Sequence, residues 1–302
     1  SDVSITNNGT ITLSGKKSTG LALDHGYITN TGTIEVTNPG ITGEGSLGIF
    51  SANDTVTVNN GAINVSGIES VGIYGANDFV AGTPASYGTR KIDITHNNII
   101  TLTDSKNNYG IYLNNTAVPQ SDSNLVLGSG SKIIMGNNTV TDRSIGITLK
   151  NSTLTNNGGT IEVGKNGVGI YAENSKVTGS GGVTKLLEKS VAYTLEGNID
   201  FNAAVGTVEF NGNNTTDASA IYSIGDNSGA NTLAFNTGDI KVNVTNGGIL
   251  TVGNIGKSRI LTLNNKIEVG NPGTGTITGS ILGLTESKIT LGTSSQLITE
   301  NA

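Results

Sequence analysis

The sequence predicts an all-β chain wound as a parallel β-helix, a solenoid of about ten to twelve three-strand rungs with loop insertions. Three observations predict it. The first is a phrase that recurs. Ser70-Val71-Gly72-Ile73-Tyr74-Gly75-Ala76-Asn77-Asp78 is nearly repeated by Ser46-Leu47-Gly48-Ile49-Phe50-Ser51-Ala52-Asn53-Asp54. Looser copies centre on Leu21, Ile111, Ile147, Ile170, Tyr193 and Ile221, so the eight centres are spaced by 28, 24, 38, 36, 23, 23 and 28 residues. A minimum that recurs with a variable excess is a repeated unit carrying insertions. The second is alternation. Asn8-Gly9-Thr10-Ile11-Thr12-Leu13, Thr31-Gly32-Thr33-Ile34-Glu35-Val36 and Gly158-Gly159-Thr160-Ile161-Glu162-Val163 each make a turn and then alternate apolar with polar residues. Shorter runs such as Val3-Ser4-Ile5, Val56-Thr57-Val58 and Ile92-Asp93-Ile94 precede them. Period two means strands with one buried face. The third is composition: 44 Gly, only 4 Pro and 4% aromatic residues. Gly and Asn suit tight turns, and a thin aliphatic core needs few aromatics.

Three strands in about 23 residues are too few for a crossover through a helix, which needs a dozen or more connecting residues. They suit one rung whose strands stack on those of the next, about 4.8 Å away, giving a rod about 50–60 Å long. Residues 1–75 read as three regular rungs, with turn asparagines at Asn53, Asn77, Asn115, Asn151 and Asn174 able to bond along the rod. Residues 78–91 break the pattern as a first insertion, and 115–124 as a second, both from the same corner of adjacent rungs. Residues 125–222 return to rungs, with Leu186-Leu187-Glu188-Lys189 as a longer turn that reads as one helical turn. From 235 to 302 strand triplets continue at Ile240, Ile249, Ile260, Ile267, Ile277 and Ile289 while the Gly-Ile-Tyr phrase is lost. The whole of 1–302 thus reads as one domain, regular over 1–225 and divergent over 235–302.

The net charge is −6, and Lys16-Lys17 and Arg90-Lys91 are the only adjacent basic pairs. Nothing neutralises phosphates, so neither nucleic acid nor an anionic membrane is expected as a partner. There is no cysteine, which excludes disulfides, thiolate metal sites and a thiol nucleophile. No apolar run approaches the length of a membrane-spanning helix. No signal peptide opens the chain and no amphipathic cap closes it, so both ends read as cuts from a longer protein.

Candidate contact residues fall into two groups. Phe79, Val80 and Tyr87 in the first insertion, with Val118 and Pro119 in the second, are apolar residues on loops. They either meet a partner or fold back over the rod. If Val71, Ile73 and Gly75 point inward, Gly72 and Tyr74 point outward. The outward series is then Ala22, Phe50, Tyr74, Tyr112, Thr148, Tyr171, Thr194 and Tyr222. Three readings of this aromatic stripe stand side by side. It contacts a partner or sugar, it is covered or stacked on itself, or it pairs with a second copy of the chain.

An enzymatic reading needs carboxylates. Asp24, Asp54, Asp78 and Glu173 follow the repeat at one turn, and Glu35 and Glu162 hold outward slots, but no strand carries two acids at i and i+2. These read as solvated surface acids. His25 and His96 are the only histidines and both sit beside turns, so a surface role is expected for each. No serine-hydrolase elbow, phosphate loop or calcium-binding nonapeptide occurs. No cofactor and no metal are expected.

The Asn-x-Gly-Thr-Ile-x-Val turns, alternating with Val-Gly-Ile-Tyr-x-x-Asn, resemble the passenger regions of type V autotransporters, especially fusobacterial autotransporter adhesins. The resemblance is strong over residues 1–225 and weaker over 235–302. With the three-strand rung, it indicates the right-handed form of the β-helix. It implies export through an outer-membrane β-barrel, display at the bacterial cell surface and adhesion to host cells or other bacteria. It also implies a host glycoprotein of immunoglobulin-like, CEACAM type or a galactose-containing glycan as partner, and either single chains or trimers. The absence of cysteine suits passage through a periplasm unfolded. The chain carries no protease module, unlike the proteolytic branch of that family. The expected function is therefore a non-enzymatic adhesin, with a polysaccharide-cleaving β-helix enzyme and a passive spacer as the alternatives.

Overall fold

A computed structural model describes residues 2–38, 42–77, 91–103, 107–115, 123–187 and 189–196, and beyond 196 a series of strands by their backbone. Strands are the only regular elements among the described residues, and they stack in parallel as three ladders. The first face begins with Val3–Asn7 on residues 26–30. It runs through residues 55–59, Asp93–His96, Asn124–Leu127, residues 153–156 and residues 176–179 to Lys288–Leu291. The second face stacks Thr10–Leu13, Thr33–Val36, Ala62–Val65, Ile99–Leu102 and Lys132–Met135, then reaches Leu297–Thr299. The third face holds the Gly-Ile-Tyr strands: residues 19–24, residues 47–52, Val71–Ala76, Tyr109–Asn114, Ile145–Lys150, Val168–Glu173 and Val191–Glu196. This is a three-sided parallel β-helix. The third face continues past the loss of its phrase, because Leu250–Ile255 pairs with Ser219–Ile224. The expected strand at Ile277 lies outside the described residues.

The alternation fixes which residues go inside. Ile49, Ile73, Ile111, Ile147 and Ile170 form one buried column on the third face. Ile34, Ile63, Ile100, Ile133 and Ile161 form another on the second. Branched aliphatic side chains fill a pleated surface well. Where Ile170 gives way to Tyr193 in the register, Ile161 gives way to the smaller Thr184, and the two hydroxyls lie 3.4 Å apart. The swap conserves core volume and gives the buried phenol a partner.

Gly72 corrects the sequence reading. It was expected to point outward, yet it is buried. A Cβ there would stand 2.6 Å from the Gly110 carbonyl oxygen and 3.3 Å from the Ile100 methyl. Gly20, Gly48, Gly110 and Gly146 are held the same way under the next rung's carbonyl. The glycine of the phrase is therefore a close-approach residue, where the chain enters the third face.

Side-chain ladders stitch the corners. Before the third face, Ser46 N–H donates to Ser70 Oγ at 3.0 Å, Ser70 N–H to Asn108 Oδ1 at 2.8 Å, and Asn108 N–H to Ser144 Oγ at 3.1 Å. After the third face, Asn77 donates to Asn115 Oδ1, and Asn115 exchanges amide-to-carbonyl bonds of 2.9 Å with Asn151. These are the turn asparagines that the spacing singled out. A third ladder closes the first face. Asn7 Nδ2 donates to Asn30 Oδ1 at 2.8 Å, Asn30 Nδ2 to Asn59 Oδ1 at 2.7 Å, and Asn59 Nδ2 meets His96 Nδ1 at 2.9 Å. His96 is fully buried, so its expected surface role is overturned.

Candidate functional site

The outer side of the third face and the corner it leads into carry most of the residues picked out above. The register stacks Ala22, Phe50, Tyr74, Tyr112, Thr148, Tyr171 and Thr194 in one column. The rings of Phe50 and Tyr74 lie 5.7 Å apart at 31°, and those of Tyr74 and Tyr112 lie 5.3 Å apart at 63°. Tyr109 closes on Tyr112 at 5.5 Å. Three rings of the stripe are therefore stacked on one another, with Tyr109 beside them, and each of the four is half-buried. Tyr222 departs from the expectation. Tyr222 pairs with Tyr193, and Ser223 with Thr194, so Tyr222 takes the register position of the inward column. The spacing there is one residue longer than the phrase suggested.

Two residues along each strand the register stacks a second column: Ala76, Asn114, Lys150, Glu173 and Glu196. Lys150 Nζ stands 3.1 Å from Glu173 Oε2. The Tyr171 hydroxyl donates to Glu196 Oε2 at 2.6 Å and lies 3.4 Å from Glu173 Oε2. Burial, with the neighbouring Glu196 carboxylate, pushes the Tyr171 phenol well above its ordinary range. Burial also raises Tyr112, and the Glu173 carboxylate raises Lys150. The Tyr171 phenol and the Lys150 ammonium therefore both keep their protons at neutral pH. Glu196 was not picked out from the sequence. Its signal was there, since it stands one 23-residue repeat after Glu173.

Among the described residues, the acids that follow the repeat do not stack as a line. Asp24 shares Glu173's column, but Ala52, Ala76, Asn114 and Lys150 stand between them. Asp54 sits at the corner with φ +49° and accepts the Lys91 N–H at 3.1 Å. Asp78 lies outside the described residues. His25, at φ +65°, has Nδ1 2.6 Å from Asp24 and Nε2 3.7 Å from Asp54. Glu35 accepts from Asn64 at 2.9 Å, and Glu162 pairs with Lys185 at 3.4 Å. Among the described residues no group of three or more His, Asp or Glu side chains is arranged to hold a metal ion.

The five loop candidates, Phe79, Val80, Tyr87, Val118 and Pro119, lie outside the described residues, as does Glu188 of the expected helical turn. The flanks of both insertions are described. Ala76 pairs with Asn114 before them, and Asp93 pairs with Asn124 after them. Both insertions therefore leave and rejoin at the same corner of neighbouring rungs. Their ends are narrower than the spacing implied. Lys91 belongs to the scaffold through Asp54 and Asp93, Asn115 through Asn77 and Asn151, and Asn124 through Asp93 at 3.0 Å. In two earlier rungs the same corner is crossed without a break, by Thr19–Asn30 and Leu47–Asn59.

Comparison of the chain with protein-family models, with curated proteins and with solved structures finds no match.

Proposed function

We propose that this chain is a non-enzymatic adhesin of a bacterial surface. In this reading the two insertions, and the aromatic column beside them, contact a host cell-surface receptor. One juxtaposition carries the reading: Tyr74 and Tyr112 stand two residues before Ala76 and Asn114, the paired residues at which the insertions leave. A register-locked rod holds that corner still, and binding residues concentrate on loops held by rigid scaffolds. The resemblance to autotransporter passengers supports export through an outer-membrane barrel and display at the cell surface. It also supports a partner of either kind it implies, an immunoglobulin-like glycoprotein or a glycan. The mechanism is burial of apolar loop tips and ring edges in an exposed patch of the partner, at about 25 cal/mol per Å² of apolar area.

The test is binding of the purified domain to epithelial cells, beside two variants. One replaces residues 79–87 with a Gly-Ser link; the other carries Tyr74→Ser and Tyr112→Ser. Saturable binding lost in either variant supports the adhesin and places its contact. Glycosidase treatment of the cells then separates protein from sugar. No binding by any form overturns the reading.

A second reading rests on the Glu173 and Glu196 carboxylates on adjacent rungs. A polysaccharide-cleaving β-helix would use such a pair as acid and base. Release of reducing ends from common polysaccharides, lost in Glu196→Gln, would favour it over the adhesin.

A further inference from the structure

We infer that the rung carrying the first insertion is an acid-sensitive joint, released when the buried imidazole of His96 takes up a proton. The amide ladder has a fixed direction. Asn59 Nδ2 donates to the Gly61 carbonyl oxygen at 3.0 Å, while Asn59 Oδ1 receives Asn30 Nδ2 at 2.7 Å. The opposite orientation of the amide would set oxygen against oxygen and NH₂ against NH₂. Asn59 therefore faces His96 with an N–H, and His96 Nδ1 accepts it at 2.9 Å. The proton of the neutral imidazole is on Nε2, directed at the Lys132 carbonyl oxygen 3.4 Å away. This tautomer is assigned by the network around it.

Histidine is well suited to end the ladder here. The next residue in register is Leu127, which accepts nothing. The ring takes the last amide N–H on one nitrogen and returns its own N–H to the backbone on the other. A proton on Nδ1 destroys this arrangement. It places N–H against NH₂ and a charge in a site with no exposure to solvent. A flip of Asn59 relieves that contact only by breaking the bonds to Gly61 and Asn30.

Backbone hydrogen bonds to Lys132 and Asn98 offset the charge only in part, and burial outweighs them. The ring's neighbours are the Asn59 amide from the preceding rung, Leu127 and the Lys132 carbonyl from the following rung, and the Asn98 backbone of its own rung. Of the charged side chains on these elements, Asp54 accepts the Lys91 N–H at 3.1 Å, Asp93 is bound to Lys91 at 3.2 Å and to Asn124 at 3.0 Å, and Lys132 is exposed. Burial accordingly lowers the His96 pKa to about 4.

The consequence is local. Rungs of a solenoid depend on their neighbours, so a broken rung opens without the whole rod melting. Asp93–His96 is the strand to which the chain returns from the first insertion. Opening it frees one anchor of that insertion. If the proposed adhesin contact holds, acid releases the partner.

Hydrogen exchange of the full chain tests this, at about pH 7 and about pH 4 with the intrinsic pH dependence removed. In the native chain, protection of residues 93–96 and 99–102 should fall about tenfold or more in acid, while residues 145–150 and 160–163 hold. His96→Asn continues the ladder with the residue used at Asn7, Asn30 and Asn59, and it should keep its protection at both pH values. Equal protection of the native chain at both pH values overturns the inference, and so does equal loss in the variant. Should His96→Asn fold poorly, NMR titration of the native imidazole decides: a midpoint near that of free histidine overturns the inference. None of these readouts involves cell binding, so the joint and the adhesin fail separately.

Discussion

Gly72 lies directly beneath the carbonyl of Gly110 in the next rung, with room there for a hydrogen and not for a methyl group. The same relationship links Gly48 to Gly72 and Gly110 to Gly146, and it ends where Gly169 meets Ala192. The Gly-Ile-Tyr phrase is thus a packing rule. The glycine lets the chain come in close, the isoleucine fills the core, and the aromatic caps the outside.

Gly72→Ala should therefore destabilise the rod by about 1–3 kcal/mol, the cost of overpacking against backbone that cannot yield. Ala192→Gly, at the column's end, should cost only about 0.5–1 kcal/mol through backbone entropy. Urea denaturation of both variants checks that both destabilise and that Gly72→Ala costs more.

The amide ladder predicts a steep contrast at one corner of neighbouring rungs. Asn30 is fully buried and serves as both donor and acceptor, so Asn30→Ala strands two neighbours and should cost about 2–4 kcal/mol. Asn8, exposed and bonded to Thr31 at 2.6 Å, should change stability by less than about 0.5 kcal/mol when replaced by Ala. Thermal melts of the two variants measure both.

His96 gives stability a pH dependence of known sign. Its pKa falls from 6.5 to about 4 in the folded chain. Between these values the unfolded chain binds the extra proton, so stability rises with pH. The contribution is complete above about pH 6.5 and is lost as pH falls toward about 4, a span of about 3 kcal/mol. His96→Asn should lack this component, and chemical denaturation across that window would show it.

The aromatic column predicts pairwise coupling. Tyr74 and Tyr112 touch edge to face, so a double-mutant cycle to Ala should return about 0.5–1.5 kcal/mol of coupling in folding. If the rings also meet a receptor, the two variants should weaken binding further at equal folded population. A loss of stability with no loss of binding would make the stripe purely structural.

The sequence by itself determined the repeat, the three faces, the parallel stacking and the corner from which the insertions leave. Each depends on period two and on spacing, which a chain carries locally in its apolar pattern. The turn asparagines were legible for the same reason. Tertiary structure decided what depends on contact between rungs. Gly72 turned inward because of a carbonyl in a rung 38 residues away. Tyr222 took the register position opposite Tyr193 because its rung is one residue longer than the phrase implied. His96 became buried because a line of amides from earlier rungs ends on it. Glu196 met Tyr171 and Glu173 because stacking brings residues 23 apart into adjacent positions. Apolar periodicity says which way a side chain should face, whereas its partner belongs to a different turn of the helix and is fixed only when the rungs stack.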